Sequence, residues 1–266
     1  MELGLEGKVA LVAGASEGMG RGTALVLGAE GARLALVART AATLEKTAAE
    51  VAERTGAEVA HFAADVIDTA EIERVVDEVR QKFGNVDVLV NTVGACETVP
   101  ELADRTDDVW QRAFDSVLMA AVRACRAVVP IMQEQGGGAI VNISAMSARH
   151  WIPRIEHYSA AKAALAHFTK NLAREFAHDH IRSNAVMPGW IGSESVRRNL
   201  EPRCRDLGLE SVDDYFPIGN ERMGGVTWAD RMGTPEEIGN VVAFLASERA
   251  SYVNGALVNV DGGSGF

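Results

Sequence analysis

The chain has 266 residues, 47% of them hydrophobic and 24% charged, with 37 acidic side chains against 26 basic ones and a formal charge of −11. That apolar content supports a packed core and excludes disorder, while 26 glycines without a fixed period and three cysteines exclude collagen-like and disulfide-stapled chains. A surface of this sign repels phosphate backbones, so nucleic acid is not an expected partner.

Short β-branched runs alternate with longer helical stretches. Val9–Ala13 reads as a strand and Met19–Glu30 as the helix after it, stopped by Gly31. Arg33–Ala38 is the next strand, and Thr40–Thr55, rich in Ala and Glu, is helical up to Gly56. Glu58–Ala63 is the third strand. Asp68 predicts an N-cap with Glu71 completing a capping box, and Gly84 ends that helix. Val86–Asn91 is the fourth strand, followed by a long helix from about Thr106 to Met132. Ala139–Ser144 is the fifth, followed by a helix over roughly Tyr158–His178, and Ile181–Val186 is the sixth. Thr234, Pro235 and Glu237 predict an N-cap, a first-turn proline and a capping-box residue for a helix reaching Ser247, and Ala256–Val260 is the last strand.

Several of these strands are apolar at consecutive positions, as expected of a parallel sheet covered on both faces. Seven strand–helix units with right-handed crossovers predict one α/β domain over 1–266, a doubly wound, Rossmann-type, seven-stranded parallel sheet. The stretch at about 190–232 breaks the rhythm. It has no strand signal and mixes Arg197, Arg198, Tyr215, Phe216 and Trp228, which favours a substrate lid.

The longest charge-free stretch, Gln135–Ala148, has 14 residues and is too short to span a bilayer. Met1–Lys8 carries Glu2 and Glu6 and does not read as a secretory signal. Cys96, Cys125 and Cys204 are scattered, without zinc or CxxC spacing. The expectation is a cytoplasmic protein with reduced thiols and no membrane partner.

Gly14, Gly18 and Gly20, with Ser16, Glu17 and Met19 between them, follow the first strand and open the first helix. Glycines there let a diphosphate approach free N–H groups at a helix N-terminus. Ala38 and then Arg39 end the second strand. No carboxylate stands at Ala38 to bind a ribose diol, and a guanidinium suits a 2′-phosphate, so NADP is expected over NAD.

The loop spacing is Gly-x-x-x-Gly-x-Gly. Asn91-Thr92-Val93-Gly94 follows the fourth strand, Ser144 ends the fifth, and Tyr158-Ser159-Ala160-Ala161-Lys162 opens the next helix. Pro188-Gly189 follows the sixth strand and Asp261-Gly262-Gly263 closes the last. In the order and spacing of these motifs the chain resembles the short-chain dehydrogenase/reductase family over nearly its whole length. The resemblance implies Ser144, Tyr158 and Lys162 as catalytic residues, with Tyr158 and Lys162 also at the cofactor and Lys162 on the nicotinamide ribose. It implies cofactor contacts from Asn91, Val93 and Gly94, an adenine seat at Asp65 and Val66, and nicotinamide contacts from Pro188, Gly189, Ile191 and Ser193. It further implies a homotetramer or homodimer built on the two long helices.

Residue chemistry agrees. Tyr158 and Lys162 are four apart and share a helix face. A phenol has a pKa of about 10, and a neighbouring cation is expected to lower it, letting Tyr158 exchange a proton with an alcohol or carbonyl oxygen. Ser144 is placed to polarise that oxygen. Met146, His150 and Trp151, with Ser144 and Tyr158, are the substrate-side candidates; His157 and Cys96 also stand near. His61, His167, His178 and His180 lack metal-ligand spacing, and no metal is expected. Arg197 and Arg198 read as solvating the lid, and Leu165, Phe168, Leu172 and Phe176 as a packing stripe.

Two positions depart from the family. Members that use NADP often carry a basic residue where Glu17 stands, and Val117, seven after Trp110, replaces a common Asn that helps hold a water linking the lysine to solvent. That contact runs largely through the main chain, so a bulge in the helix there would alter the proton relay without abolishing it. The expected function is an NADP-dependent oxidoreductase moving hydride between nicotinamide and a carbonyl or secondary alcohol of a small, apolar substrate. The alternatives are a 3-oxoacyl-thioester (acyl-carrier-protein) reductase, for which Arg197–Arg205 is the only basic patch, and a non-catalytic dinucleotide-binding regulator.

Overall fold

Seven parallel strands form one sheet: β1 (Val9–Ala13), β2 (Arg33–Ala38), β3 (Val59–Ala63), β4 (Val88–Asn91), β5 (Gly138–Ile143), β6 (Ile181–Pro188) and β7 (Leu257–Val260). Their order is β3-β2-β1-β4-β5-β6-β7, the doubly wound arrangement expected. The structure is a computed structural model and describes residues 2–94, 96–222 and 227–263.

Alternate residues of each strand feed two cores. Ala10, Val12, Leu34, Leu36, Val88 and Val90 face α1 (Gly18–Ala29), α2 (Ala41–Thr55) and α9 (Pro235–Ala246). Val9, Leu11, Ala35, Val37 and Leu89 face α3 (Thr69–Phe83) and α5 (Ala120–Gln135). Each fully buried Leu, Ile or Val contributes about 1.5–3 kcal/mol, which explains the consecutive apolar positions of these strands. α6 (Glu156–Glu175) and the Phe176 that ends it place Leu165, Phe168, Leu172 and Phe176 in or against the cores, as the stripe predicts.

Four expectations are corrected. The long helix before β5 is not continuous: α4 (Asp107–Phe114) and α5 are joined by a π-helical turn, Asp115–Met119. Of the capping box at α3, only half forms. Asp68 accepts from the Ala70 and Glu71 amides, but the Glu71 carboxylate turns to the Asp65 N–H at 2.6 Å. At α9 both halves form, Thr234 with Glu237. The stretch after β6 is helical, with α7 (Glu194–Asp206) and α8 (Val212–Arg222), and residues 223–226 of it lie outside those described. Arg197 and Arg198 do not merely solvate it: Arg197 pairs with Asp213 of α8 through two contacts of 3.1 Å, and Arg198 with Glu17 at 2.6 Å.

α7 and α8 enclose a small core of their own. Cys204, Val212, Tyr215, Phe216 and Met232 are buried together, with Trp190 stacked on Tyr215 at 6.5 Å. Among the described residues no helix is long and apolar enough to cross a membrane.

Candidate active site

Between β1 and β4 the strand order reverses, and a crevice opens at the carboxyl ends of the strands, where such folds bind ligands. It is a cleft of about 610 Å³ lined by Gly14, Ser16, Glu17, Ala38, Arg39, Asp65, Val66, Val93 and Gly94. The glycine loop is held by backbone: the Gly14 and Ala15 amides donate to Val37 O at 2.8 and 3.1 Å. A Cβ on Gly20 would sit 2.1 Å from Gly14 O, so the close crossing of loop and helix requires glycine there. Thr92 Oγ1 donates to Ala13 O at 2.7 Å and approaches Gly14 O at 3.1 Å, bracing the loop from β4. Met19, in the first turn of α1, packs against the core. This cradle fits a dinucleotide by shape and by the start of α1 beside it, with Arg39 at one end.

The other predicted cofactor residues divide. Asp65 and Val66 line the cleft, and Asp65 Oδ1 accepts from Ile67 N at 3.1 Å. Pro188 ends β6, and Gly189 lies against Asp261, 2.7 Å from its Cα at the position a Cβ would take. Ile191 is buried, and Ser193 caps α7, accepting from Val196 N. The Asn91 side chain is committed elsewhere: it donates to Asn142 Oδ1 at 2.8 Å, and Asn142 donates in turn to Thr169 Oγ1 at 2.9 Å. This buried ladder tying β4 and β5 to α6 makes Asn91 a scaffold residue by its side chain. Sequence reading misses it because its members are far apart in the chain.

The catalytic candidates converge next to the cleft. Lys162, only 2% exposed, donates from Nζ to Ile143 O at 2.6 Å and lies 5.4 Å from the Tyr158 ring centroid. A Cβ on Gly94 would come 3.2 Å from Lys162 Nζ and 3.0 Å from Val117, so the lysine abuts the cofactor loop. Ser144 is buried, and its hydroxyl donates to Lys162 O at 2.9 Å. A hydroxyl has one proton, so polarising a substrate oxygen requires Ser144 to release that carbonyl.

The expected electrostatics of the pair are corrected. Burial pushes the Tyr158 phenol above its ordinary value, with Cys96 adding to the rise, and burial brings Lys162 down to about 8. The lysine sits over the ring and spends a hydrogen bond on Ile143, while both groups are desolvated. The predicted lowering of the phenol by its ammonium neighbour is therefore not what this geometry yields.

Around this centre Met146 is buried in a 3₁₀ turn, His150 is half-buried, and Trp151 is 71% exposed. His157 is buried edge-on to Trp110 at 6.3 Å, lines the cleft, and has no hydrogen-bond partner at either ring nitrogen. Burial, then Arg105, holds its imidazole below the usual value. Cys96 is exposed, and His61, His167, His178 and His180 lie at the surface. Among the described residues no cluster suits a metal ion. The π turn is centred on buried Val117, where the resemblance asks for a bulge.

Fold and site together define a dinucleotide-cleft α/β protein with a Ser–Tyr–Lys centre. A family model described as Enoyl-(Acyl carrier protein) reductase matches residues 14–265. A 3-oxoacyl-[acyl-carrier-protein] reductase of Thermotoga maritima is 34% identical over 259 residues, 97% of this chain and 98% of that protein. Levodione reductase of Leifsonia aquatica is 33% identical over 261 residues, 96% and 93% of the two. The crystal structure of L-sorbose reductase from Gluconobacter frateurii complexed with NADPH and L-sorbose matches with a TM-score of 0.92 and 35% identity, covering 99% of this chain and 98% of that one. The chain belongs to the short-chain dehydrogenase/reductase family of oxidoreductases.

Proposed function

We propose that the protein is an NADP(H)-dependent reductase or dehydrogenase acting on a carbonyl or secondary alcohol of a small, apolar substrate. The observation that carries this reading is the abutment of Lys162 on Gly94, which joins the Tyr158–Lys162 pair to the dinucleotide cleft. The bound cofactor would supply the hydride as NADPH, or accept it as NADP+ in the reverse direction. Gly14, Ser16, Gly18 and Met19 would hold its diphosphate, Arg39 its 2′-phosphate, Asp65 and Val66 its adenine, and Lys162 its nicotinamide ribose. The similarity to an NADPH complex supports the choice, as do Arg39 and the uncharged Ala38.

Tyr158 exchanges the proton with the reacting oxygen. Its pKa, raised by burial, keeps it protonated and ready to donate, which favours reduction. Ser144, once free of Lys162 O, polarises the same oxygen. Lys162 would position the ribose and return a proton from solvent towards Tyr158 after each reduction, by way of the π turn, where the relay runs through main chain because Val117 offers no polar side chain. Met146 and Trp151 form an apolar wall, and α7–α8 serve as the lid. Assembly into a dimer or tetramer belongs to the same reading.

Similarity to 3-oxoacyl-carrier reductases favours a thioester substrate as the second reading. Against an acidic carrier stands the neutralisation of Arg197 by Asp213 and of Arg198 by Glu17. The test is oxidation of NADPH and NADH against a panel of ketones, diketones, ketoses and 3-oxoacyl thioesters, with Tyr158→Phe as control. NADPH is expected to be preferred, and Tyr158→Phe to lower turnover by about 10²–10⁴-fold while still binding NADPH. A fully active Tyr158→Phe would sink the mechanism, and a preference for NADH would sink the cofactor choice.

A further inference from the structure

Two acid–base pairs, each spaced one helical turn, meet crosswise over the glycine loop. Glu17 caps α1 and Arg21 lies in its first turn; Glu194 and Arg198 stand at the same spacing at the start of α7. Arg198 grips Glu17 through two contacts of 2.6 and 3.3 Å, and Arg21 reaches Glu194 Oε1 at 3.3 Å. The second Glu194 oxygen accepts from the Gly18 N–H at 3.0 Å. Arg21 is also tied to Glu50 of α2, at 2.8 Å from its Nε, so it is anchored to the body of the domain. Arg198 comes from the lid.

Position gives this clamp its meaning. Glu17 lines the cleft alongside Ala38, Arg39 and Thr40, at the end where a second strand distinguishes a ribose diol from a 2′-phosphate. A bare carboxylate there opposes a phosphate dianion and works against Arg39. Arg198 cancels that charge with a two-pronged contact. One turn earlier on the same helix, a carboxylate occupies an amide at the N-terminus of α1, the kind of donor a diphosphate takes.

We propose that Arg198 is a cofactor-selectivity residue delivered by the lid. By neutralising Glu17 it makes the Glu17–Arg39 end of the cleft accept a phosphorylated ribose, while Glu194 holds the Gly18 amide until the diphosphate replaces it. Choice of dinucleotide is thus a property of the docked lid as well as of the second strand. This deepens the NADP reading and rests on it.

Calorimetric binding of NADPH and NADH to the full-length protein tests the proposal without turnover. Arg198→Gln is expected to weaken NADPH about tenfold and NADH less than about twofold. Glu17→Gln combined with Arg198→Gln is expected to return NADPH to within about twofold of the unmodified protein, since there is then no charge to mask. Arg198→Lys keeps most of the preference, and Glu194→Gln tightens both dinucleotides equally, by about threefold. Equal weakening of both cofactors in Arg198→Gln, or no rescue in the double variant, overturns the proposal and identifies Arg198 as a packing residue. Equal affinity for NADH and NADPH in the unmodified protein overturns the cofactor reading itself and the proposal with it. Arg198 and Glu17 are solvent-facing, and matching melting curves establish that each variant is folded.

Discussion

The glycine loop and α7 touch at Glu17 and Arg198 but are built by opposite means. The loop is fixed by sterics and backbone: Gly14 and Ala15 on Val37, Thr92 on Ala13, and no room at Gly20 for a methyl group. The α7–α8 unit has its own core around Tyr215 and Phe216, and carboxylates and guanidiniums at the surface link α7 to the glycine loop. Burial gives a contact that salt does not reach, whereas exposed ion pairs are weak and screened. The part that shapes the glycine-loop cleft is therefore rigid, and the α7–α8 unit proposed as a lid is held to it by contacts easily exchanged.

Breaking the rigid side gives the largest effect. Gly20→Ala drives a Cβ into Gly14 O, and calorimetry is expected to show a loss of about 1–3 kcal/mol in stability together with loss of dinucleotide binding. Retained NADPH affinity in that variant would mean the loop yields more readily than its packing indicates.

An intermediate effect comes from α6, where a cation is buried. Lys162 sits near 8 in the folded protein because burial disfavours its charge, against about 10.4 when unfolded. Between those values the unfolded chain holds a proton the folded one has released, so stability rises with pH across that window, and below it the whole penalty is in force. Lys162→Met is expected to raise the melting temperature by about 5 °C at pH 7, with the Ile143 carbonyl left unpaired offsetting part of the gain. The advantage should shrink steadily between pH 8 and 10. A lower melting temperature at pH 7 would show the lysine to be a net stabiliser.

The smallest effect sharpens the contrast from the lid side. Raising the salt from about 0.05 to 0.5 M is expected to speed proteolytic cleavage within α7 about two- to threefold while leaving the melting of the sheet unchanged. Equal sensitivity of both would erase the distinction between them.

The strands and the doubly wound class of sheet are legible because most strands are apolar at consecutive positions and punctuated by glycine or a cap, as with Val9–Ala13 before Gly14 and Thr234 before Pro235. Tyr158, Lys162 and Ser144 are legible because a motif binds them at fixed spacing. What escapes is set by distant neighbours. Arg198 and Glu17 are 181 positions apart, and Asn91 and Asn142 are 51 apart. The direction of the Tyr158 shift depends on how dry the pair is, which no spacing conveys. α7 is hidden by its polar sequence, although Ser193 before Glu194 is a readable N-cap.

The π turn at Asp115–Met119 has a consequence for how the chain tolerates length changes. An extra residue in one turn sets α4 and α5 out of phase, so α4 lies on α6 while α5 faces α3 and the sheet. Excising a single residue there would heal the helix and swivel everything before or after it by about 100°. The segment thus works as a phase shifter between a helix that leans on α6 and one that leans on the sheet.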